Sequence, residues 1–478
     1  MVQLDLLRKR IEDGYYHFEY ELEPDYYDSW DEEDLLIDCN GLGTDADDLL
    51  HKAVTCVMRG SYSIGYAVFE CLFDFIISDD DVGDPITIET LFIEDWVRID
   101  QNEVLCHYAF AAIQILEGEA RIIKLHDIVH DSSYQPKTSE ILKLKSGDIA
   151  GEKEFLQDWI AFLLEKYVAM DAVFEYQRKN LAEYIIDAVI EKGGLEELER
   201  FTAQYGDPCF LAYLELAKLY FRNENISKTI DTARAGIDAM PEDNTLRAEL
   251  ADMLADAGKI DHNINAIDAG ILAAARSAKD LPHFLRLYQL SDISKADSVK
   301  EYYLQHPPEN IHGYCIRILL GDFDSLWEEV LTDKAVLGWS GSKKGNSFPL
   351  FIALLTNGCR KRPYLFTLFE ENLHPDKILL EELLEKIDSQ APALSLERAA
   401  ALQNWCVKET VLRVDAIVGE QHRNSYYKAA SLTLAMMEMI EFRSGKESGA
   451  AFIKKIRDKY PRHRAFQDCL RKQANTTR

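Results

Sequence analysis

Cysteine pairs, long apolar runs and basic side chains are all in short supply in this chain. Its nine cysteines (39, 56, 71, 106, 209, 315, 359, 406 and 469) include no CxxC pair and are scattered, most of them inside apolar, helix-like stretches. That pattern argues against a disulfide framework and for free thiols in a reducing compartment. The most hydrophobic run, Trp159 to Leu164, is cut off by Glu165 and Lys166, far short of the ~20 apolar residues of a membrane span. The opening residues, MVQLDLLRKRIEDG, alternate apolar and charged side chains without the continuous apolar core of a signal peptide. A cytoplasmic location is therefore expected. Glycines number only 24 and prolines 13, while 47% of the 478 residues are hydrophobic. Such a composition excludes long disorder, because this much apolar surface offsets the entropy of ordering.

Acidic residues outnumber basic ones by 83 to 53, a formal net charge of -30. The excess is uneven: residues 1–150 hold 33 Asp and Glu against 11 Lys and Arg, a balance of -22. The end inverts it, with nine Lys and Arg in residues 454–478 against Asp458 and Asp468. An acidic body repels nucleic acid and anionic membrane, so neither is expected as a direct partner. Length alone suits two or three globular domains or one solenoid, in which each repeat contacts only its neighbours.

Along the chain, a short helix is predicted over Leu4 to Ile11, followed by GYYHFEYELEPDYYDSWDEEDLLIDC, dense in aromatics and acids. Alternation of Tyr16, Phe18 and Tyr20 with His17 and Glu19 permits a short strand or extended arm. Such an arm could imitate nucleic acid, with Glu19, Glu21, Glu23, Asp25 and Asp28 standing where phosphates would be; a solvated loop is the plainer reading. From Thr44, an expected N-cap, the pattern is helical. Helices are predicted over Tyr66 to Ile77, Ile88 to Ile99, Val104 to Ile115 and Phe155 to Tyr176. Leu181 to Ile190 and Leu195 to Tyr205 form a pair split by Gly193 and Gly194. The loop Gly338 to Ser347 is polar and glycine-containing, and Pro349 is expected to start the next helix. Helices then continue to Leu470.

The stretch PCFLAYLELAKLYFRNENISKTIDTARAGIDAMP, Pro208 to Pro241, resembles a tetratricopeptide repeat, a 34-residue helix-turn-helix unit. With Pro241 in the terminal proline position, Tyr213, Leu216, Ala217 and Tyr220 fall on the first helix's pattern, and Ala233 and Gly236 on the second. Thr229 and Ala233 depart from the residues usual there. A second, degenerate unit follows from Asn244. Further on, RVDAIVGEQHRNSYYKAASLTLAMMEMIEF and FIKKIRDKYPRHRAFQDCLRK, with the loop GWSGSKKGNSFPLFIALL, resemble the helical region of bacterial SWIM zinc finger proteins. The finger's own Cys-x-Cys and Cys-x-His are missing, so its zinc and nucleic-acid roles do not carry over. The resemblances imply an all-α, TPR-like superhelical stack of antiparallel helix pairs in a bacterial cytoplasm. On this reading the chain comprises an acidic-aromatic segment (1–43), an acidic helical region (44–150), TPR-like repeats (151–336), a polar loop (337–348) and C-terminal helical repeats with a basic end (349–478).

Candidate chemistry is sparse. His126 and His130 stand four apart, a helical spacing that can hold a metal, but no third ligand can be named. Lys343 and Lys344 in the polar loop could meet a phosphate, yet the spacing is not that of a P-loop. Cys406 lacks a nearby histidine partner. Arg462 and Arg464, flanking His463, could contact an acidic partner or a second copy. No enzyme activity, cofactor or metal is expected; the expected role is a scaffold or adaptor that binds another protein, with an acidic nucleic-acid-mimicking inhibitor as the alternative.

Overall fold

The computed structural model describes residues 2–13, 15–16, 18–21, 35–77, 85–130, 136–144, 149, 151–171, 174–308, 310–333, 342–359, 361–373, 377–391 and 393–476. Among these the chain is helical apart from one short hairpin and an isolated bridge between Ile77 and Ile86. No helix is long and apolar enough to cross a membrane. The chain divides into two compact units, Met1–Leu216 and Ala217–Arg478.

In the first unit, α1 (Val2–Glu12) precedes a hairpin in which β1 (Phe18–Glu21) pairs antiparallel with β2 (Leu35–Asp38), Phe18 opposite Asp38. Phe18 is fully buried and stacks on Trp96, ring centres 5.7 Å apart. Asp38 then accepts from the backbone N–H groups of Gly41 (2.9 Å) and Gly43 (2.8 Å). The next helix, α2 (Leu42–Met58), therefore begins ahead of Thr44, because a carboxylate delivered by β2 satisfies its first donors. Gly41 carries the left-handed φ of +78° that this junction needs.

Then follow α3 (Tyr62–Phe73), α4 (Ile88–Ile93), α5 (Gln101–Ile115), α6 (Gly118–His130), α7 (Thr138–Leu142), α8 (Glu152–Ala169) and α9 (Glu175–Tyr205). Eleven of the fifteen residues of α5 are buried, on all sides, and α2, α3, α6 and α7 pack around it. A helix apolar all round belongs at a centre, and this one is the unit's axis. α8 lies on α9, which is kinked where the paired glycines predicted a break: Gly194 sits at φ 60°, ψ −143°, a region essentially reserved for glycine. The predicted continuous helix Phe155 to Tyr176 is instead two, ending at Ala169 and resuming at Glu175.

The unit boundary falls within α10 (Leu211–Arg222). In the second unit α11 (Ile226–Ala239), α12 (Thr245–Ile260) and α13 (Ile264–Ala278) pack in succession. Asparagines cap all three: Asn225, Asn244 and Asn263 accept from Lys228, Leu246 and Ala266 N–H. Small residues set the α12–α13 approach, since a Cβ on Gly270 would lie 2.5 Å from the Ala251 carbonyl oxygen.

Beyond come α14 (Leu281–Arg286), α15 (Asp297–Gln305), α16 (Ile311–Leu319), α17 (Phe323–Thr332), α18 (Lys343–Leu355), α19 (Pro363–Leu373), α20 (Lys377–Gln390) and α21 (Leu396–Val414). The last three helices are α22 (Tyr426–Ser444), α23 (Lys446–Lys459) and α24 (Arg464–Thr476). One apolar core runs through buried side chains from Ala255 to Leu470. Its centre is α18, packed against α16, α17, α19, α20, α21 and α22, with eleven of thirteen residues buried. Pro349 does not start this helix. Ser342 caps it by accepting from Gly345 N–H at 2.9 Å, and Pro349 lies inside. Burial on every side outweighs the local cost of an internal proline.

Candidate functional site

The basic end of the chain folds into a groove. α23 and α24 both pack on α22, leaving between them a space of about 860 Å³. Gly445, at φ +90°, ends α22, and Gly449 seats α23 on it: a Cβ there would lie 2.2 Å from Glu441 Cγ. Phe452 and Ile456 point inward and are buried. The groove face of α23 carries Ala450, Ile453, Lys454 and Arg457, a spacing of i, i+3, i+4, i+7 that defines one helical face. On α24 the lining is Arg464, Gln467 and Arg471; on α22 it is Met437 and Glu441.

The turn between α23 and α24 is fixed by aromatic packing. Phe466 meets Tyr426 and Tyr460 edge-on, both at 6.1 Å, and Tyr460 meets His463 at 5.6 Å. Lys459 is tied to Asp415 at 2.6 Å. Gln467 stitches the two walls: its amide donates to the carbonyls of Arg457 and Tyr460, both 3.2 Å, and its oxygen accepts from Arg457 Nε at 3.0 Å. Four cations, Lys454, Arg457, Arg464 and Arg471, face two carboxylates, Glu441 and Asp458, across this lining. Arg471 is paired with Asp468, whereas Lys454 and Arg464 are exposed and form no ion pair among the described residues.

A second polar cluster is half-buried in the same unit. His283 Nε2 donates to Asp252 Oδ2 of α12 at 3.0 Å, and Nδ1 donates to Asp280 Oδ1, the cap of α14, at 2.7 Å. Arg286 also binds Asp252. Hydrogen bonds to the two carboxylates, Asp252 first, lift the imidazole to about 9. Held as a cation with both nitrogens donating, His283 has no lone pair for a proton or a metal. The cluster ties α12 to α14.

The predicted residues fall in several places. Leu216, Ala217, Tyr220, Ala233 and Gly236 are buried, Tyr213 is half-buried and Pro241 is exposed. Thr229 satisfies its hydroxyl on the Asn225 carbonyl at 3.0 Å. Lys343 is exposed beside Glu329 (3.6 Å), but Lys344 is half-buried against the buried Glu409 at 3.5 Å. Arg464 lines the groove; Arg462 is exposed outside that lining. His126 meets Phe162 edge-on at 5.2 Å, while the His130 side chain lies outside the described residues. So do Glu23, Asp25 and Asp28, and for Glu19 and Glu21 only the strand is described.

Cys406 is fully buried, and burial raises its thiol well above the ordinary value, as it does for Cys315. Among the described residues no three His, Cys, Asp or Glu side chains converge as a metal set. Sequence reasoning missed the groove's apolar members, Met437, Ala450 and Ile453, and the Asp252–His283 contact. The i, i+3, i+4, i+7 rhythm after Gly449 is the signal that could have found Ala450 and Ile453.

Set against known protein families and curated proteins, the chain matches none.

Proposed function

We propose that this chain is a non-catalytic helical scaffold or adaptor, a TPR-like superhelical stack in its middle, that works by binding another protein. The observation that carries the reading is the groove of α22–α24, with its partly apolar lining and a cationic rim. Its arginines present forked donors that suit carboxylate recognition, and its apolar members supply the burial that gives a contact strength. Two further features support a role without chemistry. Among the described residues the most strongly perturbed histidine, His283, is consumed by internal carboxylates, and the buried thiols of Cys315 and Cys406 are held protonated. The repeat resemblance at Pro208–Pro241 points the same way, because helical-repeat proteins commonly serve as binding surfaces.

Affinity purification of the tagged full chain from its native cells, with chemical cross-linking, tests the proposal. A reproducible protein partner cross-linked to the second unit is the expected result. Purified chain that turns over a substrate, together with no partner recovered, would overturn it.

A further inference from the structure

We infer that the groove between α23 and α24 takes an acidic amphipathic helix of another protein, an inference that rests on the scaffold reading above. Three properties of the groove select this occupant.

The first is charge. Lys454, Arg457, Arg464 and Arg471 gather on one lining in a chain of net charge -30, and Lys454 and Arg464 have no ion pair among the described residues. Opposite charge on a partner gains first from Lys454 and Arg464, while the rest of this acidic chain repels acidic partners that lack the matching pattern.

The second is the mixture of apolar and charged lining. Met437 and Ile453 are half-buried and Ala450 is small, so a partner must bring apolar side chains as well as carboxylates. That demand separates an acidic peptide from nucleic acid. The lining offers apolar side chains for such a peptide and holds no aromatic ring on which a base could stack.

The third is backbone chemistry. The walls are helices whose N–H and C=O groups are already paired internally, and they offer side chains alone. An extended peptide would leave its own backbone donors and acceptors without partners, whereas a helix satisfies them itself. From Ala450 to Arg457 the wall rises about 10 Å, two helical turns. The matching partner carries apolar residues at i, i+3 or i+4, and i+7, with Asp or Glu flanking them.

A displayed library of amphipathic helical peptides, with acidic, neutral and basic polar faces, tests this against the full-length protein. Acidic peptides of that spacing should be enriched, and the best of them should lose about tenfold in affinity between 50 and 300 mM salt. Lys454→Glu with Arg464→Glu should weaken the same peptide by about tenfold or more. A charge-swapped peptide, Glu to Lys, should recover binding to that variant, which also shows that the variant is folded. Ile453→Asp should weaken binding while leaving the salt dependence in place.

Enrichment of neutral or basic peptides, equal binding to the Lys454→Glu/Arg464→Glu variant, or tighter binding of a single-stranded oligonucleotide at these residues would each overturn the inference. So would occupation of the groove by a second copy of this chain. Failure here is distinguishable from failure of the scaffold reading. In the first case native partners co-purify equally with wild type and variant; in the second no partner is recovered with either.

Discussion

Replacing His283 by alanine is expected to weaken the second unit by about 2 kcal/mol at pH 6.5, and the penalty should shrink as the pH rises. The imidazolium bridges Asp252 and Asp280, and these two hydrogen bonds lift it from 6.5 to about 9. The other titratable side chains around it are Arg286, which binds Asp252, and His312 of α16, whose Nδ1 accepts from Leu281 N–H at 3.3 Å. A rise of that size corresponds to about 3 kcal/mol between the charged and neutral forms. With the His283 side chain 19% exposed, solvent screening brings it to about 2 kcal/mol. Because the folded value lies above the unfolded one, this stability is fully present below pH 6.5 and is lost as the pH rises through 9. For Asp252 and Asp280, burial works against ionisation but the contacts with His283 prevail and hold both below 3.8, so their share is lost only as the pH falls below that value. Urea unfolding of wild type and H283A at pH 6.5 and pH 10, followed by circular dichroism, reads the difference directly. Two units need not unfold together, so the transition that contains α12–α16 is the one to compare. An H283A penalty of equal size at both pH values would refute the cationic bridge.

Three more predictions follow from other elements. G194A should destabilise by about 1–3 kcal/mol, because φ 60°, ψ −143° at the α9 kink is closed to a side chain; a variant melting at the wild-type temperature would contradict that. Burial pushes the Glu438 carboxyl up to about 7 even though it accepts from Leu365 N–H at 3.2 Å. Its raised value makes wild type lose stability as the pH climbs from 4.5 through 7, and E438Q, which keeps an acceptor without a charge, should lose less over that window in thermal melts. K344M strands the Glu409 carboxylate, only 6% exposed, and should cost about 3–5 kcal/mol, whereas K344M/E409L should recover most of the loss in a double-mutant cycle.

Local signals in the sequence carried as far as the physics they encode is local. The break in α9 was legible because two adjacent glycines act on the backbone where they stand, whatever surrounds them. The start of α2 was not, because its cap is Asp38, a side chain placed by strand pairing rather than by proximity to Thr44. Pro349 misled for a related reason: its preference for a first turn is a local term, and α18 is buried on every side by six helices that no window of sequence contains.

The repeat resemblance meets the same limit from the other direction. Burial of Leu216, Ala217, Tyr220, Ala233 and Gly236 follows from any helix pair with apolar residues at these spacings, so it does not separate a tetratricopeptide unit from other pairs. The basic C-terminal residues were legible as charge, and charge alone suggested contact with an acidic partner or a second copy without showing any surface for it. What makes them a lining is Gly449, whose missing side chain lets α23 settle against Glu441 and turn Ile453, Lys454 and Arg457 toward α24. A single absent Cβ thus separates a solvated basic tail from a groove with apolar and cationic walls, and G449L, which must push α23 off α22, should abolish acidic-helix binding even with every cation retained.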